Sequence, residues 1–469
     1  MKKVTKCQTK KALLEYLPVV PLPPSDNICK WYLDTIQEMI KELDSECIFL
    51  HADEAVYSKI MMIKWIEEGK YDKVIPLLGG FHTILVSLKI LRKKYGVLGF
   101  KDWWVESGAV QPGSADKADE GKNYFRSVRL HKQSFEALVR YRVQREIDSD
   151  SFSSKFKDEL RNLRENPSPE ALDDLMKLKE YEELVDCILK CDGTMSQMIV
   201  SYMKDVSSNL ALISSVREKS IERHIQAEEN LCKDAHAFGH PNYARYLSYQ
   251  HVMLKSLPQQ KPLVWDELLK NGFGGSITGK PFSTEHGDYM IETTINREVK
   301  VRGGPMQGGY STDLTSMNRY VQNTHHLAKL RSAIKKKLNT LTSSVHKEET
   351  PSGIRIHEQM IVRMVLQLER YTDPFDDQPA RNIKTGEIID HNVVLGLLNS
   401  RKLGAELFQK FITERIEPAQ EKVSFFAPIK NPKINTGLTK KKETPKAINV
   451  LKEDKQAFGM LVGKNNIFG

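Results

Sequence analysis

Long apolar runs are missing from this chain. None of its 469 residues opens a stretch of about 18 uninterrupted apolar positions, the minimum for a membrane-spanning helix. No apolar segment follows Met1-Lys2-Lys3, so a secretory leader is not expected either. Cysteine is scarce and scattered, at Cys7, Cys29, Cys47, Cys187, Cys191 and Cys232. That usage argues against a disulfide framework and for a reducing, intracellular compartment, the nucleus included. Cys187 and Cys191 stand four apart, but a zinc site needs two further ligands at suitable spacing. Packing thiols are the better reading. Internal repeats of solenoid period are also lacking. Charge is weakly one-sided: the formal net charge of +9 permits a nucleic-acid partner without requiring one. Residues 417–469 hold ten lysines against five acids. Such a tail is a solvated segment or, less often, a phosphate-binding arm.

What the chain does contain is a strand–helix–strand unit. Cys47-Ile48-Phe49-Leu50 is a short apolar run leading to Asp53. Val74-Ile75-Pro76-Leu77-Leu78 is a second, ending at Gly79-Gly80-Phe81-His82. Short apolar runs bounded by polar residues and glycine read as buried strands, and the pattern between them is helical. A carboxylate thus stands at the mouth of the first strand and an imidazole just past the second, at the strand ends where open α/β sheets collect their chemistry.

The remaining pattern is mostly helical. An N-terminal arm and helix occupy 1–45, with Ser25-Asp26 as a helix start, and the α/β core occupies 46–122. Within the core a helix runs from Phe81 to Tyr95, and 108–122 reads as a loop. Helices fill 123–271, including single segments over Pro169–Leu189 and Thr194–Ala237. A glycine-rich segment (272–312) carries Asp288 and Glu292, a helical region spans 313–417, and a basic tail spans 418–469. The expected class is mainly α with a small parallel α/β core.

Each candidate residue has a plain structural role as well as a chemical one. Asp53 is either a metal ligand or the cap of the helix from Glu54. His82 orients a carboxylate or phosphate, or is a structural histidine at a helix start. Asp288 and Glu292, four apart, share a helix face. Their repulsion calls for a divalent cation or a basic neighbour such as Arg297 or Lys300. Asp53 with Glu292, and Asp288 in reserve, would hold one Mg²⁺ and only marginally two. Arg297, Lys300, Arg302 and Arg319 are either nucleic-acid contacts or a solvated face. The Gly303-Gly304 and Gly308-Gly309 steps read as an ordinary turn. His325 and His326 point to different sides of a helix, and Lys335-Lys336-Lys337 suits that helix's C-terminal end.

Taken in order, several short stretches resemble a family of uncharacterised, mobile-element-associated animal proteins, abundant in cnidarians and other invertebrates. They are Asp53-Glu54-Ala55-Val56-Tyr57, Leu78-Gly79-Gly80-Phe81-His82, Gly121-Lys122-Asn123-Tyr124 with Arg126-Ser127-Val128-Arg129-Leu130-His131, Asn242-Tyr243-Ala244-Arg245, Asp288, Glu292 and Asn296 at four-residue steps, and Gly303-Gly304. The layout is also distantly similar to Mutator-like DDE transposases. In those a catalytic Asp ends one strand, a C/D-x-x-H motif follows the next, and a helical insertion precedes the catalytic Glu. Asp53, His82 and Glu292 match these positions, with Gly79 in place of the Cys or Asp. The resemblance implies an RNase H-like core with a large helical insertion. It also implies Mg²⁺ as cofactor, DNA as partner with Arg126 and Arg129 among its contacts, and Asp53, His82 and Glu292 as the catalytic residues. The first catalytic Asp of that fold has no counterpart here, since nothing before residue 45 reads as a strand ending in Asp. A transposon-derived, transposase-like DNA-binding protein with an incomplete catalytic set is therefore expected. The alternative is a helical scaffold in which Asp53 is a cap and Glu292 an ion-pair partner.

Overall fold

The computed structural model describes residues 26–148, 152–166, 168–276, 283–293, 350–371, 373–417 and 425–438, and isolated positions between 323 and 338. The chain divides into two units, 1–436 and 437–469, the second described only at Gly437 and Leu438. In the first, α1 (Asp26–Glu42) leads into β1 (Ile48–Ala52), α2 (Glu54–Ile66), β2 (Val74–Leu78) and α3 (Gly80–Tyr95). Next come α4 (Phe100–Glu106), α5 (Pro112–Asp119), α6 (Tyr124–Asp148), α7 (Ser154–Glu165), α8 (Pro169–Met176) and α9 (Lys179–Leu189). Then follow α10 (Thr194–Glu218), α11 (Ile221–Ala237), α12 (Pro241–Gln260), α13 (Pro262–Asn271), β3 (Gly274–Gly275), β4 (Glu285–His286) and α14 (Gly287–Ile291). After them are α15 (Pro351–Arg370), α16 (His391–Leu398) and α17 (Ser400–Phe411). The molecule is mainly helical around a small parallel sheet, as the sequence pattern predicts.

β1 and β2 pair in parallel, from Ile48 opposite Val74 to Ala52 opposite Leu78. Alternate residues face opposite layers, as strand geometry requires. Ile48, Leu50, Ala52, Val74 and Leu78 pack with Leu33, Tyr57, Ile60 and Ile84 from α1, α2 and α3. Cys47, Phe49, Ile75 and Leu77 pack with Val216, Ile225, Leu254 and Leu268 from α10 to α13. Helices on both faces are why these strands read as continuous apolar runs.

The outer edge of β2 is closed. Gly79 donates its N–H to the Ala52 carbonyl (2.7 Å), so Leu78 points its N–H the other way. There it meets Gln250 Oε1 of α12 at 2.7 Å. Pro76 has no N–H to offer, which is what an edge strand tolerates. Val74 donates to the Tyr71 carbonyl (3.0 Å), and Lys64 Nζ donates to the Val74 carbonyl (2.8 Å).

Gln250 in turn donates to the buried Glu228 of α11. Burial pushes the Glu228 carboxyl up to about 8, so the folded chain keeps it protonated where the unfolded chain ionises. The cost grows as pH rises from about 4.5 to 8. Glu228→Gln should therefore raise stability by about 2–4 kcal/mol at pH 8 and leave it nearly unchanged at pH 5. Urea unfolding at the two pH values measures this, and an equal effect at both would refute it.

Four sequence expectations are revised. Residues 108–122 contain α5, started by Pro112 at its first turn, a position where proline costs nothing. The single helix over Pro169–Leu189 is two, α8 and α9, parted at Lys177 and Leu178. The helix over Thr194–Ala237 breaks where Lys219 adopts a left-handed conformation (φ 54°). The tail expected to start at 418 begins later: Phe425 is buried and packs edge-on against Trp65 and Tyr249. Arg245 of α12 holds this segment by donating to the carbonyls of Phe425 (3.0 Å) and Ala427 (3.0 Å). No described helix is long and apolar enough to cross a membrane.

Candidate functional site

Two helices, α2 and α3, start at the C-terminal ends of the two strands. A helix start presents amide donors without partners and a partial positive charge. At α2, Asp53 supplies the acceptor locally, its Oδ1 taking the Val56 N–H at 3.0 Å. At α3 the capping position is Gly79, which has no side chain to offer. The acceptor there comes from more than 200 residues away. Asp288 of α14 takes the Phe81 N–H on Oδ1 (3.1 Å) and the His82 N–H on Oδ2 (3.0 Å). Its Oδ2 also meets His82 Nδ1 at 3.0 Å.

The glycines before His82 make this approach possible. A Cβ on Gly79 would stand 2.2 Å from Asp288 Oδ2, and one on Gly80 would stand 1.9 Å from His286 Nδ1. Gly287 likewise passes against His51 of β1, where a Cβ would come within 3.0 Å of the ring. β4 and α14 are thus seated on the strand ends through backbone-close contacts.

The electrostatics follow from this seating. Burial works against a charge on His82. The hydrogen bond and charge of Asp288, with the charges of Asp53 and Glu292, outweigh it and raise the His82 pKa above the ordinary histidine value. Burial pushes Asp288 upward, but His82 and His286 hold it below the usual carboxylate range. On the other side of β1, burial holds His51, His224 and His286 low, His224 to about 3 and His286 to about 4. His224 stacks on Phe273 with ring centroids 4.0 Å apart. The site therefore sets one imidazole of raised pKa against the carboxylates, backed by imidazoles that burial holds low.

An aromatic rim borders it. Phe81, Tyr124, Phe125 and Tyr289 touch one another, with Phe81 to Tyr124 at 5.0 Å and Phe125 to Tyr289 at 5.6 Å between centroids. Arg217, at the end of α10, is near enough to act on both Tyr124 and His286.

The structure thus joins Asp288 to His82, with Asp53 and Glu292 near enough for their charges to act on the same imidazole. Asp53 is a helix cap, as its plain reading held; among the described residues its Oδ2 accepts no hydrogen bond. Arg126 and Arg129 lie on the first turns of α6, beside the rim. Asn296, Arg297, Lys300, Arg302, Gly303, Gly304 and Arg319 lie outside the described residues. Of the motif residues, Arg245 is structural, as described above. So is the buried His131, whose Nδ1 meets Tyr202 Oη at 2.9 Å. Sequence reasoning missed His51, His286, Tyr289 and Arg217. The glycine ahead of α3 was the available signal that a distant cap was needed.

Among the described residues, no group of three or more His, Cys, Asp or Glu side chains is placed to hold a metal ion. The oxygens of Asp288 are engaged by three donors; the two other carboxylates that the sequence pattern offers are Asp53 and Glu292. Two suffice for Mg²⁺, which keeps several waters and takes substrate phosphates as further ligands.

A family model described as Domain of unknown function (DUF8702) matches residues 1–451. The chain belongs to that family. The match takes in every residue of the DUF8702 chain named at the site, from His51 to Glu292. No curated protein and no solved structure matches it.

Proposed function

We propose that this DUF8702 protein is a transposon-derived, transposase-like, DNA-binding protein with an RNase H-like core, a large helical insertion and an incomplete catalytic set. The observation that supports the reading is the Asp288–His82 pair at the ends of two parallel strands, with the charges of Asp53 and Glu292 acting on the same imidazole. Asp53 and Glu292 would hold Mg²⁺, which supplies charge neutralisation and activation of a water or hydroxyl in phosphoryl transfer. Asp288 is a positioning residue: by engaging Nδ1 it fixes the imidazole and favours its protonated form, leaving Nε2–H as donor to a phosphate oxygen. Arg126, Arg129 and Arg217 supply cations at the rim.

Titration of the purified chain with Mn²⁺ followed by electron paramagnetic resonance tests the metal site. Asp53→Ala and Glu292→Gln should each weaken binding about tenfold or more, and unchanged binding in both would remove it. DNA affinity should fall with salt along a log–log slope of about −3, roughly one counterion for each rim arginine. Mg²⁺-dependent nicking that disappears in Asp53→Ala would show a working enzyme instead.

One observation favours the second reading, a helical scaffold: Asp53 and Asp288 both serve as helix caps. That reading predicts neither metal binding nor salt-sensitive DNA affinity.

A further inference from the structure

Phe125 stands out on the rim because it is 61% exposed. A phenyl ring at a helix start has no need to face water, and its neighbours Tyr124, Phe81 and Tyr289 are gathered beneath it. Phe125 meets Tyr124 at 5.5 Å and Tyr289 at 5.6 Å between centroids, both at steep interplanar angles, so the ring is braced. Arg129 is one turn further along the same face of α6, and Arg126 follows directly. Arg217 approaches from α10 through Tyr124. None of these three arginines forms an ion pair among the described residues, although the molecule pairs many of its surface cations, such as Arg140 with Glu358. An exposed, braced aromatic ring with arginines around it, beside a carboxylate site, is complementary to a stacked base with its phosphates.

Resting on the DNA-binding reading above, we propose that Phe125 is a stacking platform for an unpaired base, so that the strand entering the site is single-stranded DNA. In a duplex both faces of each base are already covered by neighbours, and a surface ring has nothing to stack on. An unpaired base offers its π-face whatever its identity, so the contact is tolerant of sequence. The arginines then follow the backbone on either side, and the scissile or bound phosphate lies towards His82.

The test is fluorescence anisotropy with labelled oligo-dT and a duplex of equal length, for the wild-type chain, Phe125→Ala and Phe125→Trp. Phe125 is exposed, so neither substitution threatens folding; thermal melts verify this. Phe125→Ala should weaken oligo-dT binding about tenfold and change duplex binding less than twofold. Phe125→Trp should keep the affinity, and its indole emission should be quenched on adding oligo-dT. Equal losses for both DNA forms, or no loss for either, would overturn the stacking role while leaving DNA binding intact. Failure of the wild-type chain to bind either form would overturn both. A dimer that Phe125→Ala converts to monomer would assign the patch to a second copy of the chain and overturn the proposal.

Discussion

Asp288→Ala should lower the stability of the folded chain by about 3 kcal/mol, among the largest effects of any single side chain in the site. The carboxylate is 6% exposed and accepts three hydrogen bonds. Its removal strands the Phe81 and His82 amides at the start of α3 and leaves the His82 ring without its partner. A lost helix cap alone costs about 1 kcal/mol, and donors left unsatisfied in a half-buried place add more. The ion pair with His82 contributes modestly, because that imidazole is 30% exposed. Gly80→Ala attacks the same joint from the other side, forcing a methyl group into His286. Urea unfolding measures both. If Asp288→Ala unfolds at the wild-type midpoint, the long-range cap does not hold α14 in place.

The second large effect is a steep loss of stability in mild acid. His131 and His224 are held down to about 3 by burial, and His236, His240, His251 and His286 to about 4. Each is kept neutral in the folded chain, while its unfolded counterpart takes a proton below about pH 6.5. The unfolded state therefore binds more protons between about pH 6.5 and 4, and stability falls as pH drops through that window. One such group costs at most about 1.4 kcal/mol per pH unit. Six together would exhaust the 5–15 kcal/mol of a typical domain well before pH 4. Glu228 acts in the opposite direction, gaining stability as pH falls from about 8 to 4.5, but it is one group against six. The raised pKa of His82 also favours folding below neutrality: its contribution is complete below about 6.5 and disappears as pH rises through the raised value. The depressed Asp288 loses its contribution only below the usual carboxylate range, outside the window. Melts followed by circular dichroism should show a Tm highest near pH 7 and lower by more than about 15 °C at pH 5. A Tm unchanged between pH 7 and 5 would contradict the neutral, buried state of these rings.

The local elements were readable because local rules set them. Short apolar runs and the polar and glycine residues that bound them placed β1, α2, β2 and α3 within a residue or two of where they lie. The break at Lys219 escaped because it needs a lysine in a conformation that favours glycine, held by the packing of α10 on α11. Of the site, Asp53, His82, Asp288 and Glu292 could be named from residue type and spacing. The seating of Asp288 on the start of α3 could not, because it depends on contacts across two hundred residues. The role of Asp288 was inverted in part: the residue kept in reserve as a metal ligand has its oxygens committed to α3. His51 and His286 gave no signal, since a histidine on a buried strand looks the same whether its neighbours are apolar or imidazoles.

A side chain standing where a third strand would otherwise pair also limits how the sheet can grow. With Gln250, Pro76 and Lys64 sealing β2, a peptide or sister molecule that sought to lengthen the ribbon would find one flank shut. A strand recruited from outside therefore cannot lengthen the sheet past β2 without first drawing Gln250 of α12 away from the Leu78 amide.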